Sequence, residues 1–337
     1  MTTHNAYAVA QPKSILETIQ VDRGACGPTT VRVRVRYCGI CGSDLHLNDG
    51  ELGDASIFPQ VSGHEVVGVV EEVGSEVSAF EVGDRVGIGW QRDACGRCDY
   101  CQAGEEQHCP KADLTCCYGN HGGFGELAEA DERFVYTIPS KLDSAGAAPL
   151  LCAGHVVFAG LKRLDLINRN LCIFGLGGLG HLAVIFASYM GANITVVSRD
   201  TDKERDALDL GADRLVDYDE LMSGAYIDTF HHALITSSHL PSFEVVTDVM
   251  RARGQVLLFG MSKPTEIPFT DLSFKSLSLV TVNGGSRQDM KDMFHFCQRF
   301  GIQSQVVVYG SDDIETALKD VRAGLVKYRG VLAFDEA

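Results

Sequence analysis

The 337-residue sequence predicts an α/β fold, in which a doubly wound parallel sheet forms one domain and a β-rich domain forms the other. The length exceeds what one hydrophobic core usually serves, so two domains are expected. In roughly the first 150 residues, short apolar runs are separated by Gly and Asp, which is typical of strands and turns. From Leu171 onward, short apolar strands alternate with helical stretches, as in a doubly wound sheet.

The elements follow in order from the residue pattern. In Val31–Tyr37, Val31, Val33, Val35 and Tyr37 alternate with arginines, which predicts a half-buried strand with the arginines on its outer face. The strands predicted for the later domain are 171–174, 194–197, 214–216, 229–235, 255–259 and 277–282. A helix over 288–300 and a final strand-helix-strand stretch are expected to return to the first domain. The predicted domains are therefore 1–152 with 289–337, and 153–288.

Composition limits the class of protein. The formal charge of −16 and the absence of a Lys/Arg block disfavour a nucleic-acid partner. The sequence has no apolar run of membrane-spanning length, so no membrane partner is expected. Residues Met1–Ala10 have no basic flank followed by an apolar stretch, which favours a cytoplasmic location. In that reducing compartment, twelve cysteines indicate metal ligands, catalytic groups or core residues before disulfides.

The most specific local pattern is a cluster of four cysteines, Cys95, Cys98, Cys101 and Cys109, in the segment CGRCDYCQAGEEQHC. Four soft thiolates at this spacing can close a tetrahedral shell around one zinc ion and leave no position for a substrate. The loop carries few apolar residues, so the metal is predicted to have a structural role. Reduced surface cysteines and an iron–sulfur cluster are the alternatives.

A second, dispersed set consists of Cys41 in CGICGSDLH, His64 in SGHEVVG and Cys152 in PLLCAG. Two thiolates and a neutral imidazole balance the charge of Zn²⁺ and leave a fourth coordination position open, as a Lewis-acid site requires. Taken singly, Cys152 is more often a small buried hydrophobic residue, and His64 a hydrogen-bonded core residue. The combination predicts a catalytic zinc site.

A glycine-rich run, GLGGLG at residues 175–180, directly follows the strand 171–174 and precedes an apolar-periodic helix. Glycines permit the tight turn and let a pyrophosphate approach backbone N–H groups at the helix N-terminus. Because both flanking elements are predicted, a dinucleotide site is favoured over a plain glycine turn. Its residues are Gly175, Gly177, Gly178, Leu179 and Gly180.

The end of the next strand distinguishes the two nicotinamide cofactors, because an NAD enzyme needs a carboxylate there for the ribose 2'-hydroxyl. This chain has Ser198-Arg199 at that point, with Lys203 in the following turn. A hydroxyl and two cations suit a 2'-phosphate, so NADP(H) is favoured over NAD(H). Asp200 and Asp202 support the alternative, in which Arg199 is a surface charge paired with them and a displaced carboxylate receives NAD.

Several segments together resemble the medium-chain zinc-dependent alcohol dehydrogenase family, and the likeness covers nearly the whole chain. They are CGICGSDLH, GHE, VGDRVGIGW, the four-cysteine loop, PLLCAG, GLGGLGHLA and VKYRGVLAF. All look like the cinnamyl alcohol dehydrogenase branch. The short segment between Cys109 and Phe124 is similar to that of the bacterial broad-range aldehyde reductases.

The resemblance implies a β-rich, GroES-like catalytic domain split around a Rossmann domain, with the active site in the cleft. It implies that Cys41, His64 and Cys152 hold the catalytic zinc, and that Glu65 exchanges with solvent at the open position.

The resemblance also implies a proton path. Ser43, two positions after the first ligand, would relay the alcohol proton, and His46 would pass it onward through the cofactor ribose. Asp44 is either an acceptor that orients a ligand imidazole or a turn residue that satisfies local N–H groups.

The chain departs from the family pattern after PLLCAG. Relatives often carry Ile-Thr there, with the Thr near the nicotinamide, whereas this chain has His155-Val156. One cofactor contact is therefore in question, and an imidazole is expected near the pocket. Cys116 and Cys117 are candidates for lining the substrate pocket.

These features predict a zinc-dependent oxidoreductase that transfers hydride between NADP(H) and a small alcohol or aldehyde, with two zinc ions per chain. Reduction of an aromatic or aliphatic aldehyde is the main hypothesis. The alternatives are an NAD-dependent polyol or secondary-alcohol dehydrogenase and a non-catalytic NADP-binding sensor with one structural zinc. A nucleic-acid zinc module is disfavoured by the charge and by the single clustered cysteine loop.

A homodimer is expected from the apolar strand 277–282. This strand looks like the sheet edge through which family members pair. An edge covered within the monomer is the alternative.

Overall fold

The computed structural model describes residues 3–237, 241–259 and 266–334, and the chain divides into two compact units. The first unit is Met1–His155 with Ser286–Ala337, and the second is Val156–Gly285. These boundaries differ from the predicted ones by three residues each, at 155 against 152 and at 285 against 288. In the described residues, no single helix is long and apolar enough to cross a membrane. One bent pair, 144–151 with 153–161, meets the length and composition criteria only when both helices are taken together.

The first unit opens with strands that are short, apolar on one face and separated by turns. They are β1 (Thr3–Val9), β2 (Leu16–Asp22), β3 (Thr30–Gly39), β4 (Glu65–Val73), β5 (Arg85–Ile88), β6 (Gln91–Asp93), β7 (Asp113–Leu114), β8 (Leu127–Asp131) and β9 (Val135–Thr137). The helices of this part are short: α1 (Gly42–Asn48), α2 (Asp99–Gln102), α3 (Ser144–Ala147) and the first turn of α4 (Ala153–Leu161). Short 3₁₀ turns lie at Gly53–Ala55, Glu106–His108, Glu132–Phe134 and Ala148–Leu151.

The second unit alternates strands and helices, as predicted. Its elements after α4 are β10 (Asn170–Phe174), α5 (Gly180–Tyr189), β11 (Asn193–Val197), a 3₁₀ turn (Thr201–Lys203), α6 (Glu204–Asp209), β12 (Arg214–Val216), α7 (Tyr218–Leu221), β13 (Phe230–Ile235), α8 (Phe243–Val249), β14 (Met250–Phe259), α9 (Phe269–Lys275) and β15 (Ser278–Val282). The six strands form a parallel sheet in the order β12-β11-β10-β13-β14-β15. In β10, residues 171–174 are completely buried, as expected for a parallel strand covered on both faces. The doubly wound fold is confirmed.

The chain then returns to the first unit through α10 (Arg287–Phe300), β16 (Val306–Gly310), a 3₁₀ turn (Ser311–Asp313), α11 (Ile314–Ala323) and β17 (Arg329–Ala333). The last two strands join a seven-stranded sheet in the order β16-β17-β3-β4-β5-β9, with β8 also paired to β3. Strand β17 pairs antiparallel with the end of β3, where Val331 faces Gly39. Strand β17 therefore lies beside the segment that leads to Cys41.

Strand β3 differs from its prediction at one arginine. Val31, Val33 and Val35 are buried as predicted, but Arg32 is buried as well. Strands β4 and β8 flank β3 and supply carboxylates to the guanidinium, from Glu72 and from Glu129 at 2.7 Å. A buried arginine is stable when it is paired in this way.

Candidate active site and metal centres

The structure brings Cys41, His64 and Cys152 together within the first unit, at the ends of three elements. Cys41 lies two residues after β3 and is the N-cap of α1. His64 directly precedes β4, and Cys152 follows the 3₁₀ turn Ala148–Leu151. Side chains at element ends can converge on one point while the sheet fixes their backbones.

The ligand atoms of this set are spaced as a single metal ion requires. Cys41 Sγ is 4.0 Å from Cys152 Sγ, and His64 Nε2 is 3.3 Å from Cys152 Sγ. A tetrahedral zinc with Zn–S bonds of about 2.3 Å separates two sulfurs by about 3.8 Å. Glu65 belongs to the same group, whose ligand atoms lie within 4.8 Å of one another, and its buried Oε2 has no partner among the described residues. The residues therefore fit one metal ion.

The thiolate character of Cys41 also favours a cation. A hydrogen bond with Cys152 lowers the pKa of Cys41 well below its usual value, and the same bond raises the pKa of Cys152. Burial lowers the pKa of His64, but the Asp44 carboxylate more than offsets it, so the pKa of His64 is raised. The site therefore already stabilises a thiolate, which is the form that binds zinc.

Asp44 ties two ligand segments together. It is completely buried, and its Oδ1 accepts from Gly63 N–H at 2.8 Å and from His64 Nδ1 at 2.9 Å. Its Oδ2 accepts from Cys41 N–H at 2.8 Å. Both interpretations given by the sequence therefore hold, because Asp44 orients the imidazole and satisfies backbone N–H groups. With Nδ1 donating to Asp44, Nε2 of His64 is free to bind a metal.

Glu65 is completely buried and pairs with the buried Arg329 guanidinium of β17. Burial raises the pKa of Glu65 to about 7, although Arg329 acts in the opposite direction. Gly39, on the neighbouring strand, leaves room for this carboxylate, because a Cβ there would overlap Glu65 Oε2 and lie 3.0 Å from Glu65 Cβ. The ion pair and the glycine together fix the carboxylate beside Cys41.

The two predicted relay residues lie on α1. Ser43 Oγ is 3.8 Å from Cys41 Sγ, and His46 lies three residues further along, on the same side of the helix. His46 Nδ1 is 2.6 Å from Glu51 Oε2, and both side chains are partly exposed. The helix thus places a hydroxyl near the ligand set and an imidazole–carboxylate pair at the surface.

The four cysteines of the loop lie together, with all four sulfurs within 4.8 Å of one another. Cys95 Sγ and Cys101 Sγ are 3.9 Å apart, and Cys95 Sγ accepts from Cys98 N–H at 3.4 Å. Hydrogen bonds from the N–H groups of Arg97 and Cys98 lower the pKa of Cys95 to about 6. Cys109 Sγ likewise accepts from an N–H, that of residue 111, at 3.4 Å. These donors stabilise thiolates, so the loop fits a closed metal site.

The wall beside His64 contains the sole tryptophan and two cysteines. The Trp90 ring meets the His64 imidazole edge-on, with centroids 4.7 Å apart. Cys116 and Cys117 are buried in a small apolar cluster with Leu47, against which Trp90 packs. Their role in lining a substrate pocket remains a prediction.

The glycine-rich run lies in the second unit between β10 and α5, as predicted. Gly175 has a positive φ of 101°, and a Cβ at Gly180 would overlap Gly175 O, so both positions require glycine. A Cβ at Gly177 would meet nothing within 4 Å, so this position borders open space. Within the described part of the chain, the N–H groups of Gly178 and Leu179 have no backbone acceptor. The run can therefore offer N–H groups to a pyrophosphate.

The end of β11 places Ser198 and Arg199 as the sequence predicts. Ser198 is buried and its Oγ accepts from Asp200 N–H at 3.1 Å, whereas Arg199 is exposed. The Asp200 carboxylate caps the next turn, because its Oδ1 accepts from Asp202 N–H at 3.2 Å and its Oδ2 lies 3.5 Å from Lys203 Nζ. Asp200 is therefore engaged within its own loop.

Comparison with known proteins identifies the family of the chain. Residues 27–140 match the family described as "Alcohol dehydrogenase GroES-like domain", and residues 178–299 match "Zinc-binding dehydrogenase". The chain is 36% identical over 339 residues to "Probable cinnamyl alcohol dehydrogenase 6" of Arabidopsis thaliana, covering 97% of this chain and 93% of the relative. It is 36% identical over 341 residues to "Probable mannitol dehydrogenase" of Fragaria ananassa, covering 97% and 94%. The chain belongs to the medium-chain zinc-dependent alcohol dehydrogenase family.

Solved structures of other alcohol dehydrogenases share the fold. A cinnamyl alcohol dehydrogenase of Sorghum bicolor superposes with a TM-score of 0.93 at 32% identity, covering 98% of both chains. A Helicobacter pylori cinnamyl alcohol dehydrogenase, described as complexed with NADP(H), gives a TM-score of 0.90 at 26% identity, also covering 98% of both chains. The predicted family and the pairing of a GroES-like with a Rossmann domain are confirmed.

Three residues around the predicted ligand set and relay residues are absent from the sequence predictions. Glu51 could have been found as a carboxylate five residues after His46, close enough to reach back to the end of a short helix. Arg329 is part of the VKYRGVLAF segment, but nothing in the sequence indicates a partner 264 residues away. Trp90 carries no sequence signal for contact with an imidazole.

Proposed function

We propose that this enzyme reduces aldehydes with NADPH at a zinc site held by Cys41, His64 and Cys152. The observation that carries the proposal is the convergence of these three side chains, with Cys152 Sγ 4.0 Å from Cys41 Sγ and 3.3 Å from His64 Nε2. The spacing of the three ligand atoms fits a tetrahedral zinc ion with one coordination position left for a substrate oxygen.

When bound, the metal supplies Lewis-acid polarisation of the carbonyl, and the nicotinamide supplies the hydride. Cys41, His64 and Cys152 would hold the catalytic ion, and Cys95, Cys98, Cys101 and Cys109 the structural ion. Two zinc ions per chain are therefore expected.

The chain's own residues manage the proton that the alcohol product requires. The Ser43 hydroxyl lies near the ligand set and can hold a proton for the substrate oxygen. His46, paired with Glu51 at the surface, can exchange that proton with solvent, either directly or through a ribose hydroxyl of the cofactor. Arg329 holds Oε1 of Glu65, and Oε2 would be available to the open coordination position of the metal.

The loop after β11 supports NADP(H) over NAD(H). NAD recognition at this point needs a free carboxylate for the 2'-hydroxyl, and Asp200 is already engaged with Lys203 and with an N–H group of its own turn. Arg199 is exposed and has no hydrogen bond or ion pair within the described residues, so its guanidinium is available to a 2'-phosphate. The Helicobacter pylori relative described with NADP(H) supports the same choice.

We further propose that the enzyme is cytoplasmic and has no nucleic-acid or membrane partner, and the surface of the second unit supports a homodimer. Strand β15 is an edge of the parallel sheet, and the neighbouring helix α9 exposes Phe269 and Phe274, which are 78% and 86% accessible. An open edge flanked by exposed aromatic side chains favours pairing with a second copy.

The test combines metal analysis with kinetics on one purified sample. Two zinc ions and turnover of aromatic and aliphatic aldehydes with NADPH are expected. Cys41→Ser should lose one zinc and nearly all turnover, whereas Cys26→Ser, a control cysteine outside both sets, should keep both. Full activity of Cys41→Ser would contradict the zinc site.

Cofactor choice is tested separately with Arg199→Glu. This variant should lose at least about tenfold in kcat/KM for NADPH and little for NADH, because one charge-assisted contact to the phosphate is replaced by repulsion. A wild-type enzyme that prefers NADH and oxidises polyols would instead support the alternative suggested by the mannitol dehydrogenase relative. One zinc and no turnover with any carbonyl would indicate a sensor.

A further inference from the structure

The polypeptide crosses between the two units twice, between His155 and Val156 and between Gly285 and Ser286. The first-unit residues at these two crossing points, His155 and Ser286, are joined by a hydrogen bond. His155 Nε2 lies 3.0 Å from the carbonyl oxygen of Ser286, to which it donates a hydrogen bond. Because His155 is in the first turn of α4, three residues after Cys152, this bond links a proposed zinc-ligand segment to the returning chain.

The acceptor side of the bond is held by a capping box. Ser286 is the N-cap of α10, and its Oγ accepts from Asp289 N–H at 3.1 Å. Its own N–H donates to Asp289 Oδ2 at 3.0 Å, and its carbonyl also accepts from Met290 N–H at 3.2 Å. The capping box therefore fixes the orientation of the Ser286 carbonyl. His155 is a second donor to this carbonyl, in addition to Met290 N–H.

The returning segment is also anchored to the four-cysteine loop. Arg287 Nε lies 2.6 Å from Glu106 Oε1. Glu106 is a buried residue of this loop, located in the sequence between Cys101 and Cys109. Residues 286–290 are thus fixed on two sides, by the loop through Glu106 and by the Cys152 segment through His155. Of these two attachments, only the one through His155 comes from a residue close in sequence to a proposed catalytic ligand, Cys152.

Burial lowers the pKa of His155, so the ring is neutral near neutral pH and its single N–H must be on Nε2 to satisfy the carbonyl. An aliphatic side chain at this position could fill the volume but could not donate.

We infer that His155 is a positioning residue that couples metal loading at Cys152 to the order of residues 286–290, where the chain re-enters the first unit. The inference rests on the proposed zinc site. A bond between Cys152 and the metal holds the first turn of α4, and the imidazole transmits that restraint to the Ser286 carbonyl. Loss of the metal, or of the imidazole donor, releases the same segment.

A double-mutant cycle with hydrogen exchange tests the coupling on the full chain. The proteins are wild type, Cys41→Ser, His155→Ile and the double variant, and the readout is exchange of the Asp289 and Met290 N–H groups. Cys41→Ser should accelerate this exchange by about fivefold, as expected for loss of one neutral hydrogen bond. His155→Ile should accelerate it equally, and the double variant should show no further increase. Additive effects of the two changes would overturn the coupling.

Two controls separate failure of the coupling from failure of the zinc site or of folding. His155→Gln keeps a donor near the Nε2 position and should restore wild-type exchange, whereas an unrestored rate would also count against the inference. His295→Ile, at an exposed site on α10, should leave the segment unchanged. Metal analysis should give two zinc ions for wild type and His155→Ile and one for Cys41→Ser. One zinc in every protein would overturn the proposed function and, with it, the coupling.

Discussion

Replacement of Asp44 by Asn should weaken metal binding at the catalytic set without affecting the four-cysteine loop. The carboxylate is completely buried and accepts three hydrogen bonds, of 2.8, 2.8 and 2.9 Å, from two backbone N–H groups and the His64 ring. An Asn amide has the same shape but only one oxygen. In one orientation its NH₂ faces Cys41 N–H, and in the other it faces both Gly63 N–H and the imidazole.

The magnitude follows from that geometry. The more favourable orientation keeps the amide oxygen on Gly63 N–H and the imidazole. It loses one charge-assisted hydrogen bond and leaves a buried N–H of Cys41 without an acceptor, which together cost about 2–4 kcal/mol. Loss of a carboxylate that orients a ligand imidazole typically costs about 10- to 100-fold in metal affinity. We therefore expect the zinc dissociation constant of this site to rise by about that factor, with a lower free energy of unfolding.

The assay uses the sole tryptophan of the chain. Because Trp90 contacts the His64 ring at 4.7 Å, its fluorescence should report zinc at this set. Chelator competition followed by Trp90 emission gives the dissociation constant, and total zinc gives occupancy of both sites. Asp54→Asn, at an exposed position, is the matched control. If Asp44→Asn binds zinc as tightly as wild type and unfolds at the same denaturant concentration, the role given to Asp44 is wrong.

Two further substitutions probe the surroundings of the site. Gly39→Ala should destabilise the protein by about 3–5 kcal/mol in chemical denaturation, because its methyl group displaces the Glu65 carboxylate and breaks a buried ion pair. Gly42→Ala, where a Cβ meets nothing within 4 Å, should be nearly neutral, and equal midpoints for the two variants would contradict this reasoning. Glu51→Gln should lower kcat for aldehyde reduction by about 3- to 10-fold with little change in KM, because the carboxylate that supports proton exchange at His46 is lost. An unchanged kcat and solvent isotope effect would remove Glu51 from the proton path.

The sequence predicts those features that depend on local pattern. The parallel sheet is predictable because its strands are buried on both faces and read as unbroken apolar runs, as 171–174 does. The four-cysteine loop is predictable because its ligands lie within fifteen residues of sequence, Cys95 to Cys109. The glycine run is predictable because two of its glycines meet backbone requirements, the positive φ of Gly175 and the close approach of Gly180 to Gly175 O.

The sequence does not predict features that depend on strand order. Alternation in β3 places Arg32 on the outer face, but it cannot show that β4 and β8 both cover that face with carboxylates. The partner of Glu65 is equally hidden, because Arg329 reaches it only after β17 has paired with the end of β3. Such contacts are set by the topology of the sheet and carry no periodic signal.

Charge balance explains why Glu65 and Arg329 are buried together next to two thiols. Two thiolates would neutralise a bound zinc ion, so an additional lone carboxylate would leave a net negative charge in a buried site, at a cost of several kcal/mol. The Arg329 guanidinium removes that charge. Burial lowers the pKa of Arg329, but Glu65, Cys41 and Cys152 more than offset this effect and raise it. The arginine comes from the last strand of the chain. The first unit therefore needs the returning segment for an electrostatically complete site, which gives a physical reason for a catalytic unit built from both ends of the sequence.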